Sequence, residues 1–334
     1  MRLRWKRIRY RLEWAGLFLA TKLIPLCSRK VCYYLAQFAG GLLSFVDRRR
    51  YRVALNNLEV AFGDELSGRQ RRKIVRQSFQ HFARTMIDLF WSPRLTELNF
   101  LWYIELRNFE ETMRGTGTER SMIIACYHYS NFEWLSLACG FLDLKGTIIS
   151  QEFKNSLLDP IFKKLREQSG HELIPRERGI VRLYKVLRRG GRTALLVDLT
   201  VPPSQGAVAI DCLGLKTSVT SAHAWLSERT GVPVIPAHCE PLPNGRYRLV
   251  FHPKITNTAE MTHQQVAQAC WNSFEPYVRK NPAPWLWMYK HWRYLPENPD
   301  RRYPFYANFY RPFENMVQRE TSESVMDRNE ENED

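Results

Sequence analysis

Between residues 111 and 260, short β-rich apolar runs alternate with stretches of helical periodicity, and this alternation restricts the chain more than any other feature. The strands that the pattern predicts are Met122–Cys126, Gly146–Ser150, Glu172–Pro175, Thr193–Val197, Val234–Cys239 and Tyr247–Phe251. Helices are predicted between them at 132–143, 156–169, 179–189 and 219–230, with a further one near 262–280. Such alternation predicts the α/β class, a sheet with helices on both faces. Asn244-Gly245 marks a tight turn before the last strand.

The first of these units, Ser121 to Trp134, carries the clearest chemical signal. An apolar run ends abruptly at Tyr127-His128, polar Ser130 and Asn131 follow, and Glu133 opens a helical pattern. A histidine thus stands at the carboxyl end of a buried strand, the edge at which open α/β sheets bind ligands. An imidazole titrates near about 6.5 and accepts a hydroxyl proton at neutral pH. A nearby carboxylate fixes its tautomer and stabilises the imidazolium. Two residues qualify as that carboxylate. Glu133 also completes Ser130-x-x-Glu133, a capping box, and Asp198 ends the strand Leu195-Leu-Val-Asp198. Arg176, in Ile174-Pro-Arg-Glu-Arg178, follows another strand and is expected at the same edge. Arg166, Arg176 and Arg178 are candidates to hold a phosphate or polarise a thioester carbonyl.

Charge points to an anionic partner. Lys and Arg number 49 against 34 Asp and Glu, and residues 314–334 alone carry eight acidic and two basic side chains. The preceding chain is therefore about 21 positive, which suits nucleic acid, anionic lipid or an acidic protein. Ten Trp and eighteen Phe favour a membrane surface over nucleic acid. Residues 1–50 form a basic N-terminal anchor: two apolar segments, Trp14–Cys27 and Val31–Val46, lie between basic clusters. Neither reaches the roughly 20 apolar residues of a simple spanning helix. A short span or re-entrant hairpin, an amphipathic pair lying in the interface, and a buried helix pair all remain open, with the basic flanks favouring membrane association. Residues 51–110 read as a basic helical collar without assigned chemistry, 111–312 as the α/β domain, and 313–334 as an acidic disordered tail. The seven widely spaced cysteines, without a C-x-x-C, read as reduced buried thiols facing a cytosol.

The sequence lacks G-x-S-x-G, G-x-x-x-x-G-K-[ST], H-E-x-x-H and G-x-G-x-x-G. No cofactor or metal is expected. What is present is an ordered set: His128-x-x-x-x-Glu133, Arg176, Asp198 and Gly231-Val-Pro-Val-Ile-Pro236. Arg52-x-x-Leu-Asn-Asn-Leu58, Ala61-Phe62, His128-Tyr-Ser-Asn-Phe-Glu133, Asn155 with Asp159, Arg166, and Pro284-Trp-Leu-Trp-Met-Tyr-Lys-His-Trp-Arg293 complete it. The ordered set resembles the four blocks of the glycerolipid acyltransferase superfamily. The whole resembles, almost end to end, its lipid A biosynthesis branch, the lauroyl/myristoyl (HtrB-type) acyltransferases. Where that branch often has Asp-Gln the chain has Asp198-Leu199. Cys212-Leu-Gly214 stands for Phe-Phe-Gly, and Gln151 for an arginine.

The resemblance implies an α/β/α acyltransferase fold at the cytoplasmic face of a bacterial inner membrane. It implies transfer of a fatty acyl chain from acyl carrier protein to a hydroxyl of a phosphorylated glycolipid. On that reading His128 is the general base, Glu133 or Asp198 supports it, and Arg166, Arg176 and Asn131 contact substrate. An acyl-CoA-dependent enzyme acting on another membrane lipid, such as a phosphoinositol mannoside, fits the same blocks. A non-catalytic membrane-binding protein is a third reading, and a nucleic-acid binder rests on charge alone.

Overall fold

A computed structural model describes residues 2–114, 121–203 and 206–319. The chain opens with helices α1 (Arg2–Leu23), α2 (Arg29–Val46), α3 (Arg48–Phe62) and α4 (Gly68–Trp91). There follow β1 (Ile104–Arg107), α5 (Phe109–Met113), β2 (Ile123–Cys126), α6 (Phe132–Phe141), β3 (Thr147–Ser150) and α7 (Asp159–Glu167). Then come β4 (Glu172–Pro175), α8 (Gly179–Arg188), β5 (Thr193–Leu196), β6 (Ala207–Cys212) and β7 (Leu215–Thr220). The order ends with α9 (Ala222–Thr230), β8 (Val234–Pro241), β9 (Tyr247–Phe251) and α10 (His263–Lys280).

Seven strands form one mixed sheet in the order β1-β9-β8-β2-β5-β3-β4. β8, β2, β5, β3 and β4 run parallel, whereas β9 is antiparallel to β8 and β1 follows β9. The pleat of β2 explains why its run is apolar throughout. Ile123 and Ala125 face one core, with α8, α9 and α10, while Ile124 and Cys126 face the other, with α6. All six predicted strands are present, and the Asn244-Gly245 turn forms with both residues at positive φ.

The sequence reading missed β1 and the β6–β7 hairpin. The hairpin turns on Leu213-Gly214, both at positive φ, a conformation costly for leucine and so not signalled by it. Because β7 runs to Thr220, the helix expected from 219 starts at Ala222. The acidic tail expected from 313 does not begin there. Residues 311–319 are helical and Phe313 is fully buried, while 320–334 lie outside the described residues. Before it, residues 295–310 form a strap. Arg301 donates to the carbonyls of Leu213, Gly214 and Val60, and Tyr306 donates to Asn57 Oδ1 at 2.5 Å.

No described helix is long and apolar enough to cross a membrane. Nor are α1 and α2 a buried core pair. α2 buries only Cys32, Ala36, Gly40 and Ser44, a small-residue stripe with a period of four, against α4. At Gly40 a Cβ would sit 2.4 Å from Gln80 Cα, so the approach of the two helices requires glycine. The other sides of α1 and α2 expose Leu12, Trp14, Phe18, Phe38, Phe45 and Val46, and Arg48, Arg49 and Arg50 follow after Asp47.

Candidate active site

The parallel pairing of β2 with β5 brings His128 to Asp198. Cys126 is in register with Leu196, and Val197 N donates to Cys126 O at 2.9 Å. One step further, the ladder is taken over by a side chain: His128 N donates to Asp198 Oδ2 at 3.0 Å, and His128 Nδ1 lies 2.8 Å from Asp198 Oδ1. Beyond this point the two strands part. β2 leads to α6 on one face of the sheet, and β5 leads through the hairpin to α9 on the other. The pair therefore sits in the crevice such divergence creates.

The Asp198 side chain is wholly buried and that of His128 is 13% exposed. Burial alone would push the Asp198 carboxyl up. The charge and hydrogen bond of His128, with a 2.9 Å hydrogen bond from Trp285 Nε1, outweigh it and hold the carboxyl below its usual range. An ionised carboxylate only accepts, so Nδ1 of the imidazole carries the proton facing it. Nε2 is then the basic nitrogen.

Glu133 does not reach the imidazole. It is gripped by Arg166, whose Nη2 and Nε donate to the carboxylate at 2.6 and 3.0 Å. Nor does it form the predicted capping box: Ser130 has φ 51° and the N-cap is Asn131, whose Oδ1 accepts from Trp134 N at 3.0 Å. Burial would lower the proton affinity of Arg166, but the Glu133 carboxylate more than offsets this, so the guanidinium stays charged and paired. Arg166 Nη1 also reaches Ser150 Oγ at 3.4 Å. Asn131, expected to touch substrate, is completely buried, and its Nδ2 donates to Asp88 Oδ2 at 3.1 Å. It shapes the turn after His128. Arg176 is exposed at the same sheet edge but three strands from β2, or roughly 14 Å at the usual spacing.

Two groups escaped the sequence reading. Asp88 on α4 accepts from Arg29 of α2 at 2.5 and 3.1 Å, from Asn131, and from Tyr247 OH at 2.5 Å. The signal was available: one carboxylate interrupts Met86-Ile-Asp-Leu-Phe-Trp91. The second is Trp285 with His291, read in the sequence only as part of the Pro284–Arg293 motif and without a role; their rings stack at 4.0 Å behind Asp198. All seven cysteines are free and six are buried, as the spacing suggested. Among the described residues no cluster fit to hold a metal ion occurs.

The family model described as bacterial lipid A biosynthesis acyltransferase matches residues 3–294. Among solved structures, the chain is similar to the 1-acyl-sn-glycerophosphate acyltransferase PlsC from Thermotoga maritima, at 17% identity and a TM-score of 0.39, over 77% of this chain and 99% of that one. No curated protein matches. The match over nearly the whole chain makes it an acyltransferase enzyme that transfers acyl groups to a lipid. The chain belongs to the bacterial lipid A biosynthesis acyltransferase family, the HtrB type that its motifs resemble.

Proposed function

We propose that this enzyme transfers a fatty acyl chain from an acyl carrier protein thioester to a hydroxyl of a phosphorylated lipid A-type glycolipid, with His128 as general base. The observation that carries this reading is the buried Asp198 carboxylate on Nδ1 of His128, which leaves Nε2 as the base. Nε2 takes the acceptor's hydroxyl proton as the oxygen attacks the thioester carbonyl. The tetrahedral intermediate then collapses, the C–S bond breaks, and the leaving thiolate takes the proton back from the imidazolium. Asp198 balances the imidazolium charge throughout. The thioester is already activated, so no acyl-enzyme is required.

The amino end of α6 lies beside His128, where its dipole favours developing negative charge. Arg166 is a candidate for the acceptor phosphate, but it would share its charge with Glu133. The exposed apolar sides of α1 and α2, followed by Arg48, Arg49 and Arg50, suit a peripheral seat on an anionic membrane, with the site at the cytoplasmic face of the inner membrane. The basic body suits an acidic carrier protein.

The test is an acyl-transfer assay in detergent, with radiolabelled carrier-protein thioesters, acyl-CoA as competing donor and total glycolipid as acceptor. General-base catalysis is worth roughly 10²–10⁴-fold, so His128→Ala should lose transfer by that factor while remaining folded. Undiminished transfer by that variant would rule out the mechanism. Transfer from acyl-CoA alone would replace the donor.

A further inference from the structure

Trp285 is fully buried, and its indole N–H points at Asp198 Oδ2 from 2.9 Å. Its ring is held from several sides. It stacks on His291 at 4.0 Å and 22°, and packs against Trp287 at 4.7 Å and Trp271 at 5.5 Å. Its backbone is equally fixed: its carbonyl accepts from Ser78 Oγ at 2.6 Å, and Pro284 O accepts from Ser130 N, two residues past His128, at 2.9 Å. His291 is anchored in turn. Its Nε2 lies 2.9 Å from Leu286 O, and its carbonyl accepts from the hydroxyls of Thr200 and Thr217.

This arrangement divides the two oxygens of Asp198. Oδ2 accepts two N–H groups, one from the His128 backbone and one from the indole, and Oδ1 is left for the imidazole. We infer that Trp285 is a positioning residue for acyl transfer: its indole N–H fixes the rotation of the Asp198 carboxylate and draws charge from Oδ1, and so sets how readily His128 takes a proton. The inference rests on the acyl-transfer reading above.

The sign follows from electrostatics. Without the indole donor, more negative charge concentrates on Oδ1, the imidazolium is held more strongly, and His128 is protonated to higher pH. Free rotation of the carboxylate also misaligns the base. The titratable groups facing Asp198 leave this effect unmasked, because all are neutral near pH 7. Burial keeps the Cys126 and Cys212 thiols and the Tyr127 and Tyr289 phenols protonated, and it brings His291 down to about 4. Glu133, five residues after His128, is paired with Arg166 at 2.6 Å.

The experiment compares kcat against pH for wild type, Trp285→Phe, and a variant carrying benzothienylalanine at 285, which keeps the ring and loses only the N–H. The expected result in both variants is an acid limb moved up by roughly half a pH unit or more. A plateau kcat lower by about tenfold, with KM within about twofold of wild type, should accompany it. An acid limb that stays with wild type in an active benzothienylalanine variant overturns the inference, whatever happens to kcat, because a packing role alone would not move it. Absence of transfer by wild type would overturn the acyl-transfer reading, and this inference with it.

Discussion

Replacing Arg29 by methionine tests how the N-terminal helices are joined to the turn that follows His128. Arg29 enters from α2 between the rings of Trp91 and Trp134, at 4.8 and 4.6 Å, and donates twice to Asp88. The Asp88 side chain is 2% exposed and that of Arg29 16%, so solvent screens the pair little. Methionine fills much of the space between the rings but leaves Asp88 with Asn131, Tyr247 and the more distant Arg84 at 3.8 Å. Removing one partner of a buried ion pair costs about 3–5 kcal/mol. The remaining donors place Arg29→Met near about 3 kcal/mol, or roughly two decades in the unfolding constant. Asp88→Asn in the same chain removes the stranded charge while still accepting from Tyr247 and Asn131, so the double variant should recover more than half of the loss. Denaturant midpoints in detergent measure both. A single variant within about 0.5 kcal/mol of wild type, or a double variant no better than the single, would show that the pair does not hold α2 to this site.

Gly40→Ala should destabilise by about 1–3 kcal/mol, since its Cβ would press on Gln80 Cα at 2.4 Å. Neighbouring Gly41→Ala should be neutral or slightly stabilising, as its Cβ would meet Arg76 Nη2 at an ordinary 3.5 Å; equal melting temperatures for the two would contradict the stripe of close packing. Burial, with the charge of His263, lowers His223 to about 4. In the unfolded chain it would titrate near about 6.5, so the unfolded state takes up the proton first as pH falls. The contribution of His223 is therefore complete above about 6.5 and is lost toward about 4, costing on the order of 2 kcal/mol between pH 7 and 5. His223→Phe should flatten the stability profile in that window, and an unchanged slope would count against it.

The elements legible in the sequence were those whose signal is local. Ile123–Cys126 and Val234–Cys239 are apolar because both faces of their strands are covered, and the end of such a run needs no knowledge of neighbours. His128 and Asp198 were found as ends of two runs. That they meet depends on β5 lying beside β2, with β3 and β4 outside it, an order that no local pattern encodes. The partner of Glu133 was invisible for the same reason, since Arg166 stands 33 residues away on α7. The helix cap lies one residue beyond the expected Ser130, and without a capping box, because Ser130 adopts a left-handed conformation and passes the cap to Asn131, which the network at Asp88 fixes in place. β1 escaped because it is short, lies at the sheet edge, and is apolar only at Ile104 and Leu106.

The strap has a bearing on where this molecule ends as a physical object. The family signature stops at residue 294, yet Arg301, Tyr306 and Phe313 lie beyond it and are bound into the body. A single guanidinium there ties the hairpin turn to the end of α3. The packed body of this protein thus extends past the residues that the family model matches. A chain cut at the end of the signature would expose the carbonyls of Leu213, Gly214 and Val60 together, and the loss would be felt at a turn some eighty residues upstream.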